Sequence, residues 1–250
     1  MIVVENIHKE FGENLVLNDV SFTFQKGKTN LIIGESGSGK TTLLKILIGL
    51  HELDKGNIIY DGRIFNKMKL KEKRSIRQEI GMLFQRGALF DYMTVEENIM
   101  FPLTMFTDQT TEEKLERVNF CLKRVNLENK NHLLPAELSG GMLKRVAIAR
   151  AISMHPKYLL CDEPNSGLDP KTAILIDDLI KEITEEYNIT TIVNTHDMNS
   201  VMQIGENIAF IYNGVIWWEG NKEELIHSNN NELNNFVFAS ELFKRLKKSS

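Results

Sequence analysis

A chain of 250 residues, 42% hydrophobic and 26% charged, is neither a disordered acidic segment nor a disulfide-stapled miniature, and it is long enough for one sizeable core with a subdomain. A formal net charge of -4 gives no electrostatic ground for a nucleic-acid partner, and the only clearly basic end is "FKRLKK". Cys121 and Cys161 lack the spacing of a metal or disulfide framework and read as buried thiols of a reducing cytosol; no window approaches the roughly 18 to 20 apolar residues that cross a bilayer, and Met1-Ile2 does not open a signal peptide, so any membrane role runs from the cytosol through a partner.

In chain order, the first sixty residues alternate apolar and polar in "MIVVENIHKEF", "LVLNDVSFTFQKGKTNLIIG" and "GNIIYDG". Turn signals at Lys26-Gly27, Lys55-Gly56 and Asp61-Gly62 separate them, which predicts an antiparallel strand-rich layer. Short apolar runs follow at "NLIIG", "IGMLFQ", "KYLLCDEP", "TTIVNTHD" and "NIAFIYNG", lengths that suit buried strands of a parallel sheet. Between the second and third of these, about residues 94–154, the pattern is helical and predicts an inserted helical subdomain in an α/β domain of residues 1–225. Residues 226–250 read as a polar hinge, "HSNNNELNN", before a last helical tail.

The sharpest motif is "GESGSGKTT", Gly34 to Thr42, which fits G-x-x-x-x-G-K-[ST] with an apolar run before it and a helical pattern after it. Gly34, Gly37 and Gly39 let the backbone wrap a polyphosphate alongside Glu35, Ser36, Ser38 and Thr42. Lys40 adds positive charge, and Thr41 offers a hydroxyl to Mg²⁺. A Gly-rich structural turn is the competing reading. "YLLCDEP" ends a strand in two adjacent carboxylates, of which Asp162 can hold Mg²⁺ through water and Glu163, facing the other side, is a candidate general base; alone, the pair could simply cap the next helix. His196 in "IVNTHD" and Gln85 after "IGMLF" are ambiguous singly, but both follow strands at the sheet edge expected for Lys40 and Glu163. A second anion-binding pattern stands in "ELSGGMLKRVAIARA", where Ser139 would cap a helix that opens with Gly140, Gly141 and Met142.

The ordered set of P-loop, Gln85, "LSGGM", "LLCDEP", "SGLD" and "NTHD" resembles the ATP-binding subunits of ABC transporters over nearly the whole chain, to about Leu225. The resemblance implies an ATPase using ATP and Mg²⁺, with Phe11 stacked on adenine and Val16 beside it. It puts His196 on the γ-phosphate and Gln85 near both Mg²⁺ and a membrane partner. Ser139, Gly140, Gly141 and Met142 would close over ATP held by a second copy of the chain, with Asp169 in the loop crossing that homodimer interface. Met142 and Asn165 depart from the commoner Gln and Thr without removing a catalytic group.

Two blocks, "FQRGALFDYMTVEENIMFPL" and "LPAELSGGMLKRVAIARA", are most similar to the MlaF-type ATPases of phospholipid transport. They imply an MlaE-like permease, an MCE-domain lipid binder indirectly, and a peripheral place on the inner face of the cytoplasmic membrane. Leu89, Phe90, Tyr92 and Met93 read as an exposed apolar surface on which such a permease would dock, or as packing for the helical insertion. The alternatives are another cargo, such as a lipoprotein, an amino acid or a drug, and a signalling ATPase of the cell-division kind. Translation and repair ABC proteins are disfavoured, because they pair two ATP domains in one chain or split theirs around a coiled coil.

Overall fold

The computed structural model describes residues 1–238. Strand β1 (Ile2–Phe11) and strand β2 (Asn14–Phe24) form a hairpin whose alternation puts Leu17, Val20, Phe22 and Phe24 inside and their polar neighbours outside. Strand β3 (Thr29–Ile33) is buried at every position and leads through the Gly-rich loop into helix α1 (Lys40–Leu47). Strands β4 (Lys55–Tyr60) and β5 (Arg63–Ile64) then complete an antiparallel sheet in the order β2-β1-β4-β5. Helix α2 (Leu70–Gln78) precedes strand β6 (Ile80–Leu83).

The helical stretch follows as α3 (Val95–Phe106), α4 (Thr111–Arg124) and α5 (Gly140–Ile152). Thr94 and Thr110 open the first two by reciprocal caps with Glu97 and Glu113, satisfying amides that a helix start leaves unpaired. The chain returns to the sheet with β7 (Tyr158–Asp162), helix α6 (Pro170–Tyr187), β8 (Thr190–Thr195), helix α7 (Met198–Ile204), β9 (Asn207–Tyr212) and β10 (Val215–Gly220). Helices α8 (Lys222–Ile226) and α9 (Asn231–Val237) close the described chain.

The second sheet has the order β10-β9-β3-β8-β7-β6, with β6, β7, β8, β3 and β9 parallel and β10 antiparallel at the edge. The architecture is the α/β P-loop core expected from the sequence, with an antiparallel N-terminal layer. One apolar cluster runs from Leu31, Ile33 and Leu159 in the sheet through Val146 and Ile148 of α5 to Ile99 of α3 and Val118 of α4. The helices are therefore anchored in the sheet's own core.

Several details differ from the pattern read in the sequence. Lys55-Gly56 is no turn: it begins β4, where a side chain at Gly56 would lie 2.4 Å from the Glu5 carbonyl of the neighbouring strand. Helix α2 escaped a periodicity reading because only Ile76 of its nine residues is buried. Strand β10 adds to the pattern read above: the Asn213-Gly214 turn, with positive φ at both residues, folds it back antiparallel on β9. The polar hinge runs into α9, and residues 239–250 of the expected helical tail lie outside the described residues. Both cysteines are buried free thiols, and no described helix is long and apolar enough to cross a membrane.

Candidate active site

The Gly-rich loop joins the carboxyl end of β3 to the first turn of α1, where a helix leaves amide N–H groups without carbonyl partners. Gly34 has φ 150°, and a Cβ there would sit 2.4 Å from the Ile211 carbonyl; Gly39 has φ 107°, and its Cβ would sit 2.7 Å from Leu17. Only glycine lets the loop pass this close to its neighbours. The Lys40 ammonium folds back to donate to the carbonyls of Gly34 at 2.8 Å and Glu35 at 2.9 Å. Burial lowers its pKa, opposed by the nearby Glu163 and Asp162 carboxylates.

Whether this loop suits a nucleotide with Mg²⁺ can be judged from its own atoms. The Ser38 hydroxyl oxygen is buried with no hydrogen-bond partner among the described residues. The Thr41 hydroxyl donates to Asp162 Oδ1 at 3.1 Å, and Asn194 Nδ2 donates to the same oxygen at 3.1 Å. A hydroxyl and a carboxylate side by side form a hard oxygen donor set of the kind Mg²⁺ takes with phosphates. Among the described residues no group of three His, Cys, Asp or Glu could hold a metal, so the remaining ligands fall to phosphate and water. The residues fit.

Asp162 ends β7 and Glu163 starts the loop beyond it with φ 48°, a left-handed conformation unusual for a side-chain-bearing residue and costing about 1–3 kcal/mol. That turn sends the two carboxylates apart. Glu163 Oε1 meets His196 Nδ1 at 2.8 Å, with the carboxylate mostly buried and the imidazole largely exposed. Gln85, exposed at the end of β6, donates from Nε2 to the Ser166 hydroxyl at 3.3 Å. Lys40, Thr41, Thr42, Gln85, Glu163 and His196 share one cleft of about 530 Å³ with Val16 and the glycine loop. A carboxylate held by an imidazole at the end of a phosphate cradle can polarise a water molecule. A neighbouring recess of about 350 Å³ extends the cradle along Asn14, Leu15 and Tyr212, and Glu35, Ser36, Gly37 and Ser38 line it.

None of Ser139, Gly140, Gly141 or Met142 lines that cleft. Ser139 caps α5 by accepting from the Met142 amide at 3.3 Å and is exposed together with Gly140. Gly141 passes so close to Thr172 that a Cβ would lie 2.6 Å from its methyl group, seating this loop on the start of α6. Asp169 caps α6, accepting from the Thr172 amide at 3.0 Å and its hydroxyl at 2.5 Å, and these bonds hold its carboxyl below the usual range. Met142 packs against the core instead of facing outward.

Phe11 does not line the cleft: it ends β1 beside the hairpin turn, 44% exposed, edge-on to His51 at 5.2 Å. The aromatic that does line the cleft is Phe236 of α9, stacked at 5.4 Å on Phe210. Nothing in the polar run around it signalled this. In the expected docking surface only Tyr92 is strongly exposed, at 76%; Leu89 packs on the core and Phe90 against Phe101 at 4.8 Å.

Two polar residues that the sequence reading passed over hold the loops in place. Buried Asn98 donates to the carbonyls of Phe90, Met93 and Thr94 and accepts from the Phe90 amide, so the loop after Gln85 is wound around one side chain. Buried Lys144, one turn into α5, donates to the carbonyls of Gln85 and Glu163.

With this geometry in view, comparison with known proteins defines the class. Residues 17–166 match the ABC transporter family, and the chain belongs to the ATP-binding subunits of that family. It is an ATPase of the ATP-binding-cassette kind, working on ATP with Mg²⁺.

The chain is 38% identical to the methionine import ATP-binding protein MetN of Campylobacter jejuni, over 96% of its own length and 76% of that protein's. It is equally 38% identical to the glutamine transport ATP-binding protein GlnQ of Escherichia coli K12, over 90% and 93%. A solved structure described as the dimeric post-hydrolysis state of the ATP-binding cassette MJ0796 bound to ADP and Pi superposes with a TM-score of 0.80 at 35% identity, covering 88% of this chain and 98% of that one. These relatives give no support to the MlaF-type assignment, nor to an MlaE permease or an MCE-domain partner.

Proposed function

We propose that the chain works as a homodimer that binds two ATP molecules at its interface and drives import of a small solute of the amino-acid class through a separate membrane permease, to which it attaches from the cytoplasmic side. The observation that carries the dimeric mechanism is the separation within one chain. Lys40, Thr41, Glu163 and His196 converge on one cleft, with Asp162 behind it bonded to the Thr41 hydroxyl, while Ser139 to Gly141 present a capped helix start outside it. A second copy turned by a two-fold axis brings each exposed start over the other chain's phosphates, an isologous arrangement.

In this reading Lys40 and the loop amides neutralise phosphate charge, and Thr41, Asp162 and Gln85 hold Mg²⁺, partly through water. The ion supplies Lewis-acid stabilisation of the charge that builds on the leaving phosphates. Glu163 orients the attacking water, and His196 fixes the Glu163 carboxylate and faces the terminal phosphate.

The names of the relatives support the amino-acid class, since import of methionine and transport of glutamine are written for proteins equally close to this chain. Phospholipid cargo has only the likeness of the segment Phe84 to Leu103 and of the α5 block behind it. Proteoliposomes holding the co-purified permease complex decide the matter. ATP-dependent uptake of labelled methionine or glutamine is expected. Movement of fluorescent phospholipid with no amino-acid uptake would overturn the cargo while leaving the ATPase intact.

Coupling to the permease falls to Tyr92, the exposed ring of the loop that Asn98 holds. Tyr92→Asp is expected to leave ATP affinity of the isolated chain within about 2-fold and to abolish transport by the assembled complex, because a single buried charge at an interface costs several kcal/mol. Loss of ATP affinity in the isolated variant would instead make Tyr92 a packing residue.

A further inference from the structure

The pairing of Glu163 with His196 joins two loops that leave different strands, and behind it lies a second tie with no part in nucleotide binding. Asp177, on the second turn of α6, is 2% exposed and accepts from Asn165 Nδ2 at 2.7 Å. The same Asn165 amide donates to the Ser200 hydroxyl at 3.0 Å, and Ser200, itself buried, also hydrogen-bonds Asp177. Asn165 follows Glu163 with only Pro164 between them. Ser200 lies in the first turn of α7, four residues beyond His196. One carboxylate on a rigid 18-residue helix therefore grips both loops just behind the residues that meet at the cleft.

We propose that Asp177 is a positioning residue that sets the distance between Glu163 and His196, an inference that rests on the roles given to that pair above. A carboxylate here is costly to the fold. Burial pushes its pKa up to about 6, and Asp197 at the start of α7 and Asp178 on its own helix add repulsion, while the bonds from Ser200 and Asn165 act in the opposite sense. The other titratable neighbour, Cys161 on β7, is kept a neutral thiol by burial. An apolar residue would fill the site without that penalty, so the two accepted hydrogen bonds are what the carboxylate adds. Asn165 fits the same account: its side-chain amide spans from Asp177 on α6 to Ser200 on α7.

The test uses the full chain and separates rate from binding. Asp177→Leu keeps the branched outline, with two methyl groups in place of the carboxylate oxygens, and removes the acceptors; Asp177→Asn keeps one acceptor oxygen for the Asn165 amide. Expected for Asp177→Leu is an unchanged melting profile, affinity for a fluorescent ATP analogue within about 2-fold of wild type, and kcat lower by about 10- to 10²-fold, the penalty of a slightly misplaced catalytic group. Asp177→Asn is expected to recover kcat to within about 3-fold, and it is the unchanged melting profile and nucleotide affinity of Asp177→Leu that separate positioning from packing. Wild-type kcat in Asp177→Leu would overturn the proposal, as would an equal fall in kcat and nucleotide affinity in both variants. Glu163→Gln assayed alongside keeps the two claims apart: a fully active Glu163→Gln sinks the parent reading, whereas an inactive Glu163→Gln with a fully active Asp177→Leu sinks only the role of Asp177.

Discussion

Glu163→Gln is expected to bind ATP with near wild-type affinity and to hydrolyse it at least about 10²-fold more slowly, the usual loss when one positioned catalytic group is removed. The substitution preserves the shape of the side chain, and an amide oxygen can still accept from His196 Nδ1, so the loop between β7 and α6 keeps its conformation. What disappears is the basic oxygen that draws a proton from water. With the cradle of Lys40 and the glycine loop untouched, the nucleotide stays and the closed dimer accumulates. Size-exclusion chromatography with ATP should show a dimer peak that the wild type loses as it turns over. Normal turnover by the variant would remove Glu163 from its role.

Ser139→Arg is expected to leave nucleotide binding to the single chain intact and to abolish hydrolysis, a loss on the scale of the 10²- to 10³-fold or so that follows removal of one oxyanion donor. Ser139 is exposed and does not line the cleft of its own chain, so its substitution removes no group from that cleft. In the proposed dimer the introduced cation would occupy the space through which a partner's phosphate approaches the start of α5. Mixing Ser139→Arg chains with Lys40→Ala chains places both defects in one composite site and leaves the other built from intact halves. Hydrolysis by the mixture, with none by either variant alone, is the expected result. If each helix start served its own chain's ATP, both sites of the mixed dimer would be damaged and the mixture would be silent; cross-linking with ATP reports closure of the mixed dimer directly and separates that outcome from two sites that must fire together.

What could be read from the sequence is what local chemistry dictates. The glycine loop, the carboxylate pair and the serine cap are written in consecutive residues, because each depends on backbone conformation or helix starts that neighbours determine. The strands were legible where burial is one-sided or complete, as in β2 and β3. Contacts made across the fold were not. Lys144 reads as one more basic residue on a helix in "MLKRVAIARA", yet α5 lies against β6 and turns that ammonium inward onto the carbonyls of Gln85 and Glu163. Asn98 reads as an ordinary polar residue between Glu97 and Ile99, and Phe236 as a stray aromatic in a polar run; their partners lie 4 to 8 and 26 residues away along the chain, in a loop and a strand whose positions only the packed sheet determines. Phe11 was placed by analogy with relatives, and its position at the hairpin end is set by where the β1–β2 register stops.

The bonds of Lys144 carry a consequence for how two chains keep time. The helix start that faces outward belongs to the same rigid rod whose first turn holds the loops of Gln85 and Glu163. A pull on one end of that rod is a pull on the other. In the dimer proposed above, any shift of Ser139 toward a partner's nucleotide would pass through the Lys144 ammonium to the main chain at Gln85 and Glu163 of the same protomer. In that arrangement each protomer would carry a mechanical report of its neighbour's occupancy into its own chemistry, and a dimer loaded on one side would be a different machine from half of a dimer loaded on both.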